Sequence, residues 1–80
     1  MMTFEAIFEK LTNILVEKLQ VDRAQVTLDS TMQDLGADSL DMVEIVIRIE
    51  EEFNIQINDA DAEKLHTMRE VVEYIQTQLK

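Results

Sequence analysis

Apolar residues recur at helical spacing near the start of the chain: Phe4, Ile7, Phe8, Leu11, Leu15 and Leu19. One stripe of this period marks an amphipathic helix packed on a core, and it predicts a helix over 4–19. Thr3 is placed to cap it, Glu5 lies in its first turn and Lys18 in its last, so both ends suit the helix dipole. Residues 20–38 lose the period. Val21, Val26, Leu28, Met32 and Leu35 stand there among Asp, Thr, Ser and Gln, the pattern of a loop that lies down on the core. A loop of that length is usually functional or holds a short turn. It would let the first two helices run parallel through an overpass, whereas a short loop would force them antiparallel. The period resumes at Ser39 and predicts a second helix over 39–53. A short third helix is expected over 59–65, with Asn58 as its cap. The fourth opens with Thr67-Met68-Arg69-Glu70, the spacing of a capping box, and continues on the stripe Met68, Val71, Val72, Ile75 and Leu79. The expected fold is all-α: a small four-helix bundle, with a long loop between the first and second helices and a short third helix. It is expected to form one domain over 1–80, without internal repeat or linker.

The second helix carries more apolar surface than a surface helix buries. With Ser39 at zero and about 100° per residue, Glu51, Glu44, Arg48, Asp41 and Glu52 fall between about 120° and 220°. Ile45, Ile49, Met42, Phe53, Val46, Val43, Ile47 and Leu40 fill most of the rest. Two arrangements fit: a central helix covered on most sides, or one whose excess serves as cavity wall and contact surface. Leu40 and Ile47 are the best candidates for exposure, because they border the acidic arc. Glu50, inside the apolar arc, fits neither arrangement.

Ser39 stands at the start of this helix. With Asp38 as cap and Asp41 three residues on, its hydroxyl is free to face solvent; alternatively Ser39 is itself a cap. A helix N-terminus offers unpaired N–H groups and partial positive charge, an environment that tolerates an attached phosphate. Gly36, the single glycine, lets the chain turn sharply into the helix.

Composition then narrows the chemistry. The 80 residues contain no Cys, no Pro and one His. Thiolate zinc sites, redox pairs and a cysteine nucleophile are excluded. Ser39 lacks the following glycine of a nucleophile elbow, and His66, the only imidazole, precedes the Thr67 cap as a surface turn residue. EF-hand spacing fails, since Asp34 occupies the glycine position counted from Asp29. Neither an enzyme nor a metal site is expected. The formal net charge is −10, and the 11 acids within residues 29–63, against Arg48 alone, account for all of it. Such a field repels nucleic acid and anionic membranes and suits a basic partner surface. No stretch is long enough to span a bilayer, and the first residues lack the layout of a signal peptide, so a cytoplasmic protein is expected.

The run Asp34-Leu35-Gly36-Ala37-Asp38-Ser39-Leu40-Asp41 resembles the signature of bacterial acyl carrier proteins. Val43-Glu44-Ile45-Val46 and Glu50-Glu51-Glu52-Phe53 are similar to that family's second helix, and Asp61-Ala62-Glu63-Lys64 to its third. The resemblance covers essentially the whole chain. It implies that Ser39 carries 4'-phosphopantetheine, transferred from coenzyme A by a phosphopantetheinyl transferase. The arm's thiol would hold growing acyl chains as thioesters for the enzymes of type II fatty acid synthesis, including acyltransferases. It further implies that Asp38, Asp41, Glu44, Glu50 and Glu51 meet basic patches on those partners, with apolar contacts from Leu40, Val43 and Ile47. Ile49, Ile57, Ala62, Leu65, Val71 and Tyr74 match the positions that line the acyl-chain pocket. A monomer is expected. A polyketide carrier shares the same fold and serine, and an acidic adaptor without prosthetic group is the alternative of another class.

Three positions depart from the family pattern. Met32-Gln33-Asp34-Leu35-Gly36 replaces Phe-x-x-Asp-Leu-Gly, one residue shorter and with Met for Phe. Arg48 places a positive charge in the acidic face. Asn58 stands where Pro is common before the third helix, which predicts a looser entry.

Overall fold

The computed structural model describes residues 2–79. Four helices follow one another: α1 (Phe4–Leu19), α2 (Ser39–Phe53), α3 (Asp59–Ala62) and α4 (Met68–Gln78), with a 3-10 turn at Arg23–Gln25 inside the long loop. Each start is set by a side chain next to it in sequence. Thr3 accepts from the N–H of Ala6 at 3.1 Å. The Asn58 side chain accepts from Asp61 N–H at 2.8 Å. Thr67 and Glu70 form the reciprocal capping box of α4. The Glu70 carboxylate also takes the N–H of His66 at 3.1 Å, and these backbone bonds hold its pKa below the usual glutamate range.

α1 is the element on which both α2 and α4 pack. It is therefore buried on more than one stripe: Ile14 and Thr12 join Ile7, Leu11 and Leu15 in the interior. Thr12 is satisfied there by donating its hydroxyl to the Phe8 carbonyl at 2.7 Å. Ile45, Ile49 and Phe53 of α2 and Met68, Val71, Val72 and Ile75 of α4 complete the centre of the core.

The expected parallel arrangement of the first two helices is not what forms. Lys10 pairs with Glu52, Glu17 with Arg48 and Lys18 with Glu44, so α1 residues of rising number meet α2 residues of falling number. The helices are antiparallel. The loop's length serves two other ends. Val26, Met32 and Leu35 are buried, so the loop roofs the core. It also pairs with the start of α4: Met32 N–H donates to His66 O at 3.1 Å, Met68 N–H to Ser30 O at 2.9 Å and Arg69 N–H to Leu28 O at 3.0 Å.

α3 is shorter than the 59–65 predicted from its pattern, ending at Ala62. Lys64 N–H turns to Asp61 O and Leu65 N–H to Ala62 O, bonds that span three residues rather than four. This tightening redirects the chain toward Thr67, which bridges Thr31 of the loop. Nor is the entry to α3 loose, because the Asn58 side chain supplies a cap that proline lacks. No helix among the described residues is long and apolar enough to cross a membrane.

Candidate functional site

The approach to α2 is a series of tight turns. Thr31 and Asp34 bond reciprocally, Asp34 N–H to the Thr31 hydroxyl at 2.9 Å and Thr31 N–H to the Asp34 carboxylate at 3.4 Å. Gly36 then adopts φ 87°, in the left-handed region. A Cβ there would meet nothing within 4 Å, so the glycine answers a backbone requirement and not a lack of space.

α2 starts with its cap already provided. Asp38 accepts from Asp41 N–H at 2.8 Å, and the Asp41 carboxylate accepts from Asp38 N–H at 3.2 Å. Ser39 is the first helical residue, exposed, and its hydroxyl is not used as the cap. The alternative of Ser39 as cap is thereby settled in favour of Asp38.

Beside Ser39 opens a groove of about 1130 Å³. Met42, Val43, Val46 and Ile47 form its α2 wall; Ile57, Ala62 and Leu65 face them from the α3 region, and Met32 contributes from the loop. Of the residues matched to an acyl pocket, Ile57, Ala62 and Leu65 lie on this lining. Ile49 and Val71 sit in the packed core. Tyr74 is half-buried and donates its hydroxyl to the Asp61 carboxylate at 2.9 Å, tying α4 to α3. Desolvation and that carboxylate push the tyrosine's pKa up. Met42 and Val46 were legible only as members of the broad apolar arc of α2; their place on the groove required knowing where α3 lies. Met32, despite the shortened loop, is buried and reaches the groove.

The outward face of α2 bears three exposed apolar side chains, Leu40 (68% exposed), Val43 (57%) and Ile47 (48%). Exposure of Leu40 and Ile47 matches the expectation from the helical wheel, and Val43 extends the strip. The five acids matched to partner contacts divide sharply. Asp38 and Asp41 are engaged in the cap, and Glu44 pairs with Lys18 at 3.0 Å. Glu50 accepts from Ile57 N–H at 2.8 Å on the groove side, which accounts for its position in the apolar arc. Glu51 is exposed. Arg48 is directed to Glu17 of α1 at 3.3 Å.

These features fit an attached phosphopantetheine. The serine hydroxyl is accessible, a 15-residue helix presents its N-terminus there, and an apolar-walled groove lies alongside. Residues 9–75 match the family described as "Phosphopantetheine attachment site". An acyl carrier protein from Cyanidium caldarium is 54% identical over 76 residues, which cover 94% of this chain and 88% of that relative.

Proposed function

The chain belongs to the acyl carrier family, built around a phosphopantetheine attachment site, and on that premise we propose that Ser39 is the attachment residue and that the protein serves type II fatty acid synthesis. It is a carrier and not an enzyme, and its prosthetic group is 4'-phosphopantetheine. Bound to the protein, that group supplies the terminal thiol on which acyl chains ride as thioesters. A chain without cysteine needs such an imported sulfur.

The observation that carries the assignment is the division of labour between adjacent residues. Asp38 satisfies the N–H of Asp41 and leaves the Ser39 hydroxyl outside the capping network. Within a phosphopantetheinyl transferase the Ser39 oxygen would attack the pantetheine-side phosphorus of the coenzyme A pyrophosphate, its proton passing to a base of that enzyme while the P–O–P bridge breaks and adenosine 3',5'-bisphosphate leaves. The partial positive charge of the α2 N-terminus favours the new phosphate, against the repulsion of Asp38 and Asp41.

The Leu40–Val43–Ile47 strip provides the apolar contact for partners, and the acidic span supplies attraction to basic patches at their active-site entrances. Exposed ion pairs speed encounter more than they hold a complex together, which suits a shuttle that must leave after each step. The groove gives the acyl chain a sheltered wall of Met42, Val46, Ile57, Ala62 and Leu65. The 80 residues act as one carrier domain, monomeric and cytoplasmic, their like charges opposing self-association.

Incubation with coenzyme A and a phosphopantetheinyl transferase tests the assignment by intact mass. One phosphopantetheinyl group is expected on the wild type and none on Ser39→Ala. A gain that persists in Ser39→Ala, or none in the wild type, rejects it. Fatty acid rather than polyketide service is tested by offering the loaded protein to the elongating and reducing enzymes of dissociated fatty acid synthesis. Failure to pass through one full cycle would exclude that pathway.

A further inference from the structure

Three ion pairs close the seam between α1 and α2: Lys18–Glu44 at 3.0 Å, Arg48–Glu17 at 3.3 Å and Lys10–Glu52 at 3.4 Å. They are not equivalent. On the α2 wheel Glu44 lies about 40° from Leu40 and about 20° from Glu51, at the margin of the exposed apolar strip. Glu52 lies about 120° from Leu40, on the far side. The Lys18 side chain is also the most sheltered cation of the three pairs, 28% exposed against 37% for Arg48 and 46% for Lys10. Shelter reduces screening by salt, so this pair keeps its charge compensation best.

We propose that Lys18 is a partner-specificity residue: by pairing with Glu44 it withholds that carboxylate from the docking surface. The inference rests on the carrier function proposed above and adds to it a criterion for partners. To recruit Glu44, a partner must displace an ammonium group. An ammonium holds a carboxylate as a point charge, whereas a guanidinium binds it through two parallel N–H bonds. Partners presenting arginine to this margin therefore recover Glu44, and partners presenting lysine gain little. Glu51, about 20° from Glu44 on the same margin, is exposed and stays open to either kind of partner.

The seam supplies its own control. Lys18→Gln and Lys10→Gln each add one unit of negative charge, yet only the first releases an acid beside the strip. Loading of Ser39 by a phosphopantetheinyl transferase, followed by intact mass at low ionic strength, reads the difference as kcat/KM. With a transferase that presents lysine to this margin, natively or after Arg→Lys substitution there, Lys18→Gln is expected to raise it roughly two- to fivefold, the range of a released surface pair, with Lys10→Gln giving less than half that gain. The gain should shrink at high salt and vanish when Glu44→Gln is added. Lys18→Arg, which retains the pair, should stay at or below the wild type. Equal gains for Lys18→Gln and Lys10→Gln would show a general charge effect and overturn the proposal, as would no gain at all for Lys18→Gln. A wild type that takes no prosthetic group defeats the carrier function itself, a distinct outcome.

Discussion

The carboxylate of Glu50, in the last turn of α2, accepts the backbone N–H of Ile57 at 2.8 Å across the turn that leads to α3. The donor belongs to a buried residue that also lines the groove. Loss of the acceptor leaves a sheltered N–H without its charged partner. Glu50→Ala should therefore lower stability by about 1.5–2 kcal/mol, the lower part of the range for hydrogen bonds to charged groups because the site is only half-buried. Glu51→Ala, one residue on and exposed, should stay within about 0.5 kcal/mol of wild type. Urea midpoints of the two variants separate these outcomes; equal shifts would deny Glu50 its structural role.

Two helices end on residues in the left-handed region, Gln20 at φ 56° and Asn54 at φ 55°. Asparagine tolerates that conformation better than glutamine, because its short side chain bonds locally. Gln20→Gly should raise stability by about 0.5–1 kcal/mol, the relief of strain exceeding the added freedom of the unfolded chain. Asn54→Gly should change it less. Gly36→Ala should cost about 1 kcal/mol through backbone strain alone, since the added methyl meets no neighbour. Thermal unfolding of the three variants gives the order.

Tyr74 predicts an alkaline limit. Its pKa is raised first by desolvation and then by the Asp61 bond, so the folded protein favours the protonated phenol. That contribution is complete below the unfolded tyrosine pKa of about 10 and is lost as pH rises through the higher folded value. Above it, a phenolate faces the Asp61 carboxylate and α3 loses its tie to α4. Denaturation midpoints between about pH 8 and 11 should fall more steeply for wild type than for Tyr74→Phe; identical slopes would contradict the assignment.

Glu70 acts at the other end of the scale. The N–H groups of Thr67 and His66 lower its pKa. A depressed carboxylate contributes stability that is present above its unfolded pKa, about 4.3, and disappears as pH falls through the folded value. Glu70→Gln should flatten the acid side of the stability profile while leaving the alkaline side unchanged. A variant with the wild-type acid slope would show the bonds to be energetically idle.

The helix starts were legible because each cap is local: Thr3, Asp38, Asn58 and Thr67 all act on an N–H three residues later. The position of Ser39, first in α2 and outside the cap, follows from the same local chemistry. What was not legible depends on elements distant in sequence. The antiparallel course of α1 and α2 is expressed in ion pairs 26 to 42 residues apart. The length of the loop alone pointed the other way. The end of α3 is fixed by where the chain must turn to meet Thr31. Glu50 looked anomalous on the wheel because its partner, Ile57 N–H, is a backbone group beyond the helix and has no sequence signature.

The loop's hydrogen bonds to residues 66–69 also order events in time. Leu28, Ser30 and Met32 lie before Ser39 in the chain, yet their backbone partners are synthesised more than 25 residues after it. A nascent chain can display the serine, and even form α2, while the segment leading into it still lacks those partners. The surroundings of Ser39 are finished only when the start of α4 has left the ribosome. The segment that opens α4 thus acts as a completion mark, after which the site has the shape a modifying enzyme would meet in the mature protein.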